Sequence, residues 1–205
     1  GDYRSHPVFL RKMERFMRAL LHWNVRFEFP RLWFTKGQTL QAAIAAGPET
    51  AWRKTRSCWQ PSTQMSSENK RRQCGYCAAC MLRRLSVHAA GEREEAGTYM
   101  LDDLSAVSLA AGVPSEFSSS KLGTAQQNYA GPLHLDHLAE LAHRREKPRS
   151  YGRQMRELAR ALDADEAEVQ HRTGAMLERH AAEWSAFLGS LPATSFIRQR
   201  SMVMA

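Results

Sequence analysis

Cys58, Cys74, Cys77 and Cys80 are all the thiols in the 205 residues, and the last three recur at every third position. Thiolates spaced this way gather around a metal ion. Gly75 lets the chain turn between Cys74 and Cys77 without steric cost, and Cys77 and Cys80 share one face of the helix that follows. Cys58 must fold back over a fifteen-residue loop to complete the set. Four sulfurs at tetrahedral spacing are what a closed structural zinc site requires. Three other fates stay open. Two disulfides are one, although no stretch reads as a secretory segment and pairing neighbours three residues apart strains the backbone. An iron–sulfur cluster takes four thiolates at other familiar spacings, and reduced cysteines also occur simply as buried core residues.

Ser57-Cys58 followed by Cys74-Gly75-x-Cys77-x-x-Cys80-x-x-Arg83 resembles the zinc-binding signature of the 7-cyano-7-deazaguanine synthases and of their relatives in bacterial anti-phage defence. Upstream, Leu32-Trp33-Phe34-Thr35-Lys36-Gly37-Gln38 resembles that family's Thr-Lys segment. The likeness runs from about His6 to about Arg84. It implies the last α-β-α unit of a Rossmann-like ATP-pyrophosphatase domain, a four-cysteine zinc site, and ATP with magnesium in the complete enzyme. The implied chemistry is activation of a deazapurine carboxylate by ATP and ligation to nitrogen, giving a nitrile or an amide. Thr35, Lys36, Ser57 and Arg83 become substrate-binding candidates; no catalytic residue is assigned. Two features depart from the family. Its phosphate-gripping Ser-Gly-Gly-x-Asp-Ser loop is absent from these residues, and more than a hundred residues follow Cys80, where ordinary members end soon after the last cysteine. The expectation is therefore a C-terminal portion whose missing half is supplied elsewhere, with a protein substrate possible in the defence relatives.

Several elements must position these groups. Val8, Phe9, Met13, Phe16, Met17, Leu20 and Leu21 keep helical spacing, and Asn24–Phe29 alternates polar with apolar until Pro30, the period of a half-buried strand. Thr35 would cap a helix reaching Ala46, with Lys36 facing an anion or merely solvent. The helix after Cys77 carries Arg83, a candidate for an anion or for closing the hydrogen bonds of the cysteine loop. Gln60–Asn69 reads as a surface loop and Ala89–Gly97 as a linker. From Thr98 onward helices are expected over Tyr99–Ala111, from Leu133 to about Glu146, over Tyr151–Leu162 and over Glu166–Leu188, with a long loop from Ser115 to Pro132. The fold class is thus mixed α/β but mostly helical. Its expected parts are residues 1–57 as the end of the α/β domain, 58–90 as the cysteine segment and 98–205 as a helical extension. His134 and His137 flank Asp136, and no third ligand joins them.

Charge widens the choice of function. Twenty-nine basic and twenty-one acidic residues give +8 and a pI near 9.7. A second reading follows, a non-catalytic module binding nucleic acid through Lys70, Arg71, Arg72, Arg83 and Arg84, or docking a protein partner through the helical extension. No apolar run is long enough to span a bilayer, and a cytoplasmic location is expected. No catalytic triad, paired-carboxylate pattern or dinucleotide fingerprint is present.

Overall fold

The computed structural model of the protein describes residues 5–47, 51–60, 66, 67, 70–115, 130–144 and 146–201. Among these the chain order is α1 (Pro7–Leu21), α2 (Lys36–Ala46), a 3-10 turn at Ala51–Lys54, β1 (Ser66–Ser67), β2 (Lys70–Arg71), α3 (Ala78–Ala89), α4 (Ala130–His143), α5 (Arg149–Leu162), α6 (Glu166–Gly189) and a 3-10 turn at Arg198–Arg200. The protein is mostly helical. Two compact units divide it, Gly1–Trp33 with Arg144–Met176, and Phe34–His143 with Leu177–Ala205.

In the first unit α1 starts where the His6 ring accepts the Val8 amide and Pro7, with no amide to leave unmet, fills the first turn. It stops at His22, which turns left-handed at φ 55° while the amides of His22 and Trp23 return to the Arg18 and Met17 carbonyls. Asn24–Phe29, expected as a strand, joins no ladder among the described residues. The Phe27 backbone groups are met by side chains of α1 instead. The Phe27 amide donates to Glu14 at 2.6 Å, the Phe27 carbonyl accepts from Arg11 at 3.1 Å, and the Arg11 guanidinium lies over the Phe29 ring. The Phe27 amide and the Arg11 pair hold the Glu14 carboxyl below its ordinary value. α5 and the start of α6 close this unit on Met155, Leu158, Ala159 and Val169, with Trp33, Tyr151 and Leu162 packed beside them.

The second unit has α3 at its centre, between α2 and α4. Cys80, Met81 and Leu85 of α3 share one core with Tyr99–Leu101, Leu135, and Ala181, Trp184, Phe187 and Leu188 of α6. Close approach is built into the sequence at two glycines. A Cβ on Gly37 would lie 2.6 Å from that of Ala89, so α2 settles on α3 only with glycine there. A Cβ on Gly131 would meet the Ala78 amide nitrogen at 2.6 Å, which seats the start of α4 on the backbone beside Cys77.

Tyr99–Ala111 corrects the expectation of a helix, because it runs as successive turns. The Gln73 amide donates to the Thr98 carbonyl and the Met100 amide to the Gln73 carbonyl, forming a parallel bridge between Gln73 and Tyr99. The bridge commits the backbone at Tyr99 to strand-type pairing with Gln73 rather than to a helical turn. The helices expected over α1, α2, α3, α4, α5 and α6 are present, with ends moved by a few residues. Most of the loop expected over Ser115–Pro132, and part of that over Gln60–Asn69, lie outside the described residues. Within the second loop β1 pairs antiparallel with β2, which directly follows the loop.

Candidate metal centre and the adjoining cavity

The four cysteine sulfurs all lie within 4.8 Å of one another, with Cys74 Sγ and Cys80 Sγ 3.7 Å apart. An ion held by thiolates at about 2.3 Å in a tetrahedron sets its sulfurs about 3.8 Å apart, so the donor set fits one four-coordinate ion. All four are free thiols, which removes the disulfide alternative. A multi-iron cluster would hold its thiolates further apart than one ion does. The group fits a single ion such as zinc.

Local backbone explains how the sulfurs converge. Gly75 takes φ 83°, and a Cβ there would come within 2.6 Å of the Leu101 carbonyl oxygen, so no other residue turns the chain at this point without displacement. Amides point at sulfur on both sides of the turn: Cys77 N–H donates to Cys74 Sγ and Cys74 N–H to Cys58 Sγ, each at 3.3 Å. Cys74, Cys77 and Cys80 are fully buried and Cys58 is half-buried. Hydrogen bonds from the Cys74, Cys77 and Cys80 thiols push Cys58 far down, while the bond to Cys58 pushes Cys80 far up. Four thiols crowded in this way share few negative charges until a divalent cation draws the protons off.

Cys58 sits sixteen residues from Cys74, and the side chains of Gln73, which carries no metal-site signature, and Arg83, which stands in the motif, bring it back. Gln73, buried, accepts the Ser57 amide at 2.9 Å and the Cys58 amide at 3.1 Å through its side-chain oxygen. Arg83 donates to the Thr55 carbonyl at 2.9 Å, to the Thr55 hydroxyl at 2.7 Å and to the Trp52 carbonyl at 3.3 Å, and pairs with Glu94 at 2.7 Å. Burial would weaken the charge on Arg83, but Glu94 outweighs it and holds the guanidinium above its ordinary value. These bonds fasten the segment that leads into Cys58, in keeping with the second role expected for Arg83. Glu94, which also accepts from the Tyr99 hydroxyl at 2.7 Å, makes the stretch read as a linker a fastening point of this site. Its only sequence signal is a carboxylate eleven residues after the arginine.

Beside this centre α2, the first 3-10 turn and α3 line a cavity of about 550 Å³. Lys36, Ser57 and Arg83 face it, together with Trp52, Thr55 and apolar residues of α2 and α3. Thr35, the fourth substrate candidate, caps α2 from just outside. Its hydroxyl accepts the Gln38 amide at 3.1 Å and donates to Glu183 at 2.5 Å, and the Gln38 side chain returns to the Thr35 amide. Thr35 is buried and Lys36 is exposed. The guanidinium groups of Arg53 and Arg83 lie over the Trp52 ring, 4.7 and 5.5 Å from its centre, and its buried indole N–H meets no acceptor among the described residues. The basic residues Lys70, Arg71 and Arg72 of the second reading sit at β2 and just after it, while Arg83 and Arg84 are committed inside: Arg84 lies over the Tyr99 ring and donates to the Leu101 carbonyl.

His134 and His137 are exposed, whereas Asp136 between them is fully buried and accepts from the Trp184 indole at 2.9 Å and from the Ser201 hydroxyl. The three do not converge.

A mostly helical protein with a buried four-cysteine centre that could hold a metal ion is the class these features define. Residues 3–91 match the model of the family described as Queuosine biosynthesis protein QueC, so this part of the chain is QueC-like. The matched stretch contains α1, α2, α3 and all four cysteines. No curated protein and no solved structure matches the chain. No helix among the described residues is long and apolar enough to cross a membrane.

Proposed function

We propose that this chain is the zinc-bearing portion of an ATP-dependent, QueC-like enzyme that activates a deazapurine carboxylate and joins it to nitrogen. The observation that carries the reading is the coincidence of the family match over residues 3–91 with one cavity that gathers Lys36, Ser57 and Arg83 beside the four sulfurs. Cys58, Cys74, Cys77 and Cys80 hold zinc as a structural staple; with four protein ligands the ion keeps no open position for chemistry. α1 and α2 then belong to the end of an ATP-pyrophosphatase-like domain, residues 58–90 form the staple, and residues 98–205 are an extension of the enzyme.

In the reaction a carboxylate oxygen attacks the α-phosphorus of magnesium-bound ATP, and the bond to pyrophosphate breaks. A nitrogen nucleophile then attacks the acyl carbon, AMP departs with the bonding pair, and the nitrogen loses its proton. Lys36 opens α2, where an ammonium and helix N-terminal amides both favour phosphate oxygens. Thr35 and Glu183 hold that helix end in place, and Arg83 holds the wall made by Trp52 and Thr55. The apolar remainder of the cavity suits a flat heterocycle and keeps water from the acyl adenylate. The phosphate-gripping loop comes from sequence outside these residues or from a partner chain. The extension after residue 91 supports the defence relatives over ordinary synthases, with an amine on a protein as nucleophile.

The test is pyrophosphate release by the protein isolated from its native cells with whatever co-purifies, supplied with ATP, magnesium and 7-carboxy-7-deazaguanine. Release should require the carboxylate, and Lys36→Ala should lower it about 100-fold while the zinc content stays unchanged. A mass increment on a co-purifying protein is the expected product. Accumulation of free nitrile at full turnover would leave the synthase reading and remove the protein nucleophile. No carboxylate-dependent pyrophosphate release would overturn the catalytic reading.

A further inference from the structure

Charge is unevenly divided between the two units. Gly1–Trp33 with Arg144–Met176 holds fifteen lysines and arginines against nine acidic residues, a net +6, and the remaining residues hold fourteen against twelve, a net +2. Most of the excess therefore falls on the unit that contains neither the cysteine centre nor the cavity.

Within that unit α5 concentrates it. Arg149, Arg153, Arg156 and Arg160 follow one another at intervals of four, three and four residues. At 100° per residue this places all four within a strip about 60° wide, running about 16 Å along the helix. Each of the four is exposed. The opposite face is the one in the core, through Met155, Leu158 and Ala159. Like charges at i and i+4 destabilise a helix, so a row of them is a feature the fold maintains against local electrostatics. Among the described residues Arg156 is the one member of the row with a carboxylate within 4.0 Å, that of Glu166, while Glu157 and Asp163 flank the row at helical spacing from Arg153 and Arg160.

We infer that this arginine row is a docking face for the sugar–phosphate backbone of double-stranded nucleic acid, read without regard to base sequence. The guanidinium fork matches phosphate oxygens two at a time, which an ammonium does not. A straight row fixed on a packed helix complements a polyanion of high and regular charge density; a duplex carries one charge per about 1.7 Å of axis. A single strand gains much of its affinity from bases stacked on aromatic side chains, and the arginine strip contains none. An anionic bilayer would want an apolar face to insert, and the apolar face of α5 is already buried in the unit.

Fluorescence anisotropy with a labelled 20-base-pair DNA duplex of arbitrary sequence and the 205-residue chain tests this. Binding should weaken linearly on a log–log plot against salt, with a slope of about −3 to −4 if all four arginines meet phosphates. Arg153→Gln with Arg156→Gln should weaken binding at least about 10-fold at low salt and reduce the slope by about 2, with the melting temperature unchanged because both side chains are exposed. Replacing Lys70 and Arg71 by alanine should leave both readings nearly unaltered. The inference is overturned if the double variant binds as the parent does, if the Lys70 and Arg71 variant carries the loss, or if a single strand of the same length binds more tightly than the duplex. Vesicles of phosphatidylserine and phosphatidylcholine that bind through the same arginines while the duplex does not would overturn it as well.

Discussion

The cysteine centre and Asp136 bury polar groups in the same core by opposite means. Around the turn at Gly75 the chain meets its own sulfurs, with Cys77 N–H reaching Cys74 Sγ three residues back and Cys80 one helical turn further on, and what remains unbalanced is charge. Around Asp136 the partners come from far along the chain, Trp184 forty-eight and Ser201 sixty-five residues on, and the carboxylate is met by protein donors. A ligand set made largely by one turn needs something from outside to complete it, and a set made by tertiary packing completes itself. The first is a cluster that could hold an ion. The second ties α4 to α6 and to the segment after it.

The largest effect should fall on the first member of this pair. Cys80→Ser should take zinc from about one per chain to near zero by elemental analysis. The unit holding the centre should lose its cooperative melt, since structural zinc contributes on the order of 10–16 kcal/mol against a net stability of about 5–15. Metal should also leave the parent protein on acidification, because the thiolates must be deprotonated to bind. Retention of both metal and melt by this variant would return the cysteines to ordinary core residues.

Asp136→Leu comes next. It strands the Trp184 indole N–H and the Ser201 hydroxyl in the core and should cost about 3 kcal/mol in urea unfolding, with zinc content unchanged. Asp136→Asn keeps an acceptor and should cost less. A loss of zinc in the leucine variant would show that the two regions are one cooperative site and blur the contrast.

Gln73→Leu approaches the contrast from the other side. The Ser57 and Cys58 amides lose their shared acceptor, and zinc affinity measured against a chelator should fall about 10- to 100-fold, the usual effect of a partner behind a metal ligand, with about 2 kcal/mol lost in stability. The smallest effect is expected from Thr35→Ala, which removes the α2 cap and the partner of Glu183 for about 1 kcal/mol in the same urea experiment, without touching metal affinity.

Much of what depends on neighbours a few residues apart was legible in the sequence. Three cysteines at intervals of three, a glycine between the first two, the Thr35 cap with Gln38 three residues on, and helical periodicity in α1, α3, α5 and α6 all act through local geometry. The rest followed from packing. Asn24–Phe29 alternates like a strand, but alternation states only which side faces inward, and α1 supplied hydrogen bonds from Arg11 and Glu14 where a neighbouring strand was expected. Tyr99–Ala111 has a helix's apolar content, yet its start pairs with Gln73 as a bridge, a partner twenty-six residues back. Arg83 reads equally well as an anion binder or a brace, and its bracing contacts with Thr55, Trp52 and Glu94 appear only with the tertiary structure. Asp136 looked like the centre of a histidine pair because adjacency in sequence is visible; that it turns inward while His134 and His137 stay in solvent follows from which face of α4 the core claims. Local spacing specifies a turn or a ligand pair because few torsions separate the groups, whereas a contact across dozens of residues depends on how whole helices pack, which no short stretch encodes.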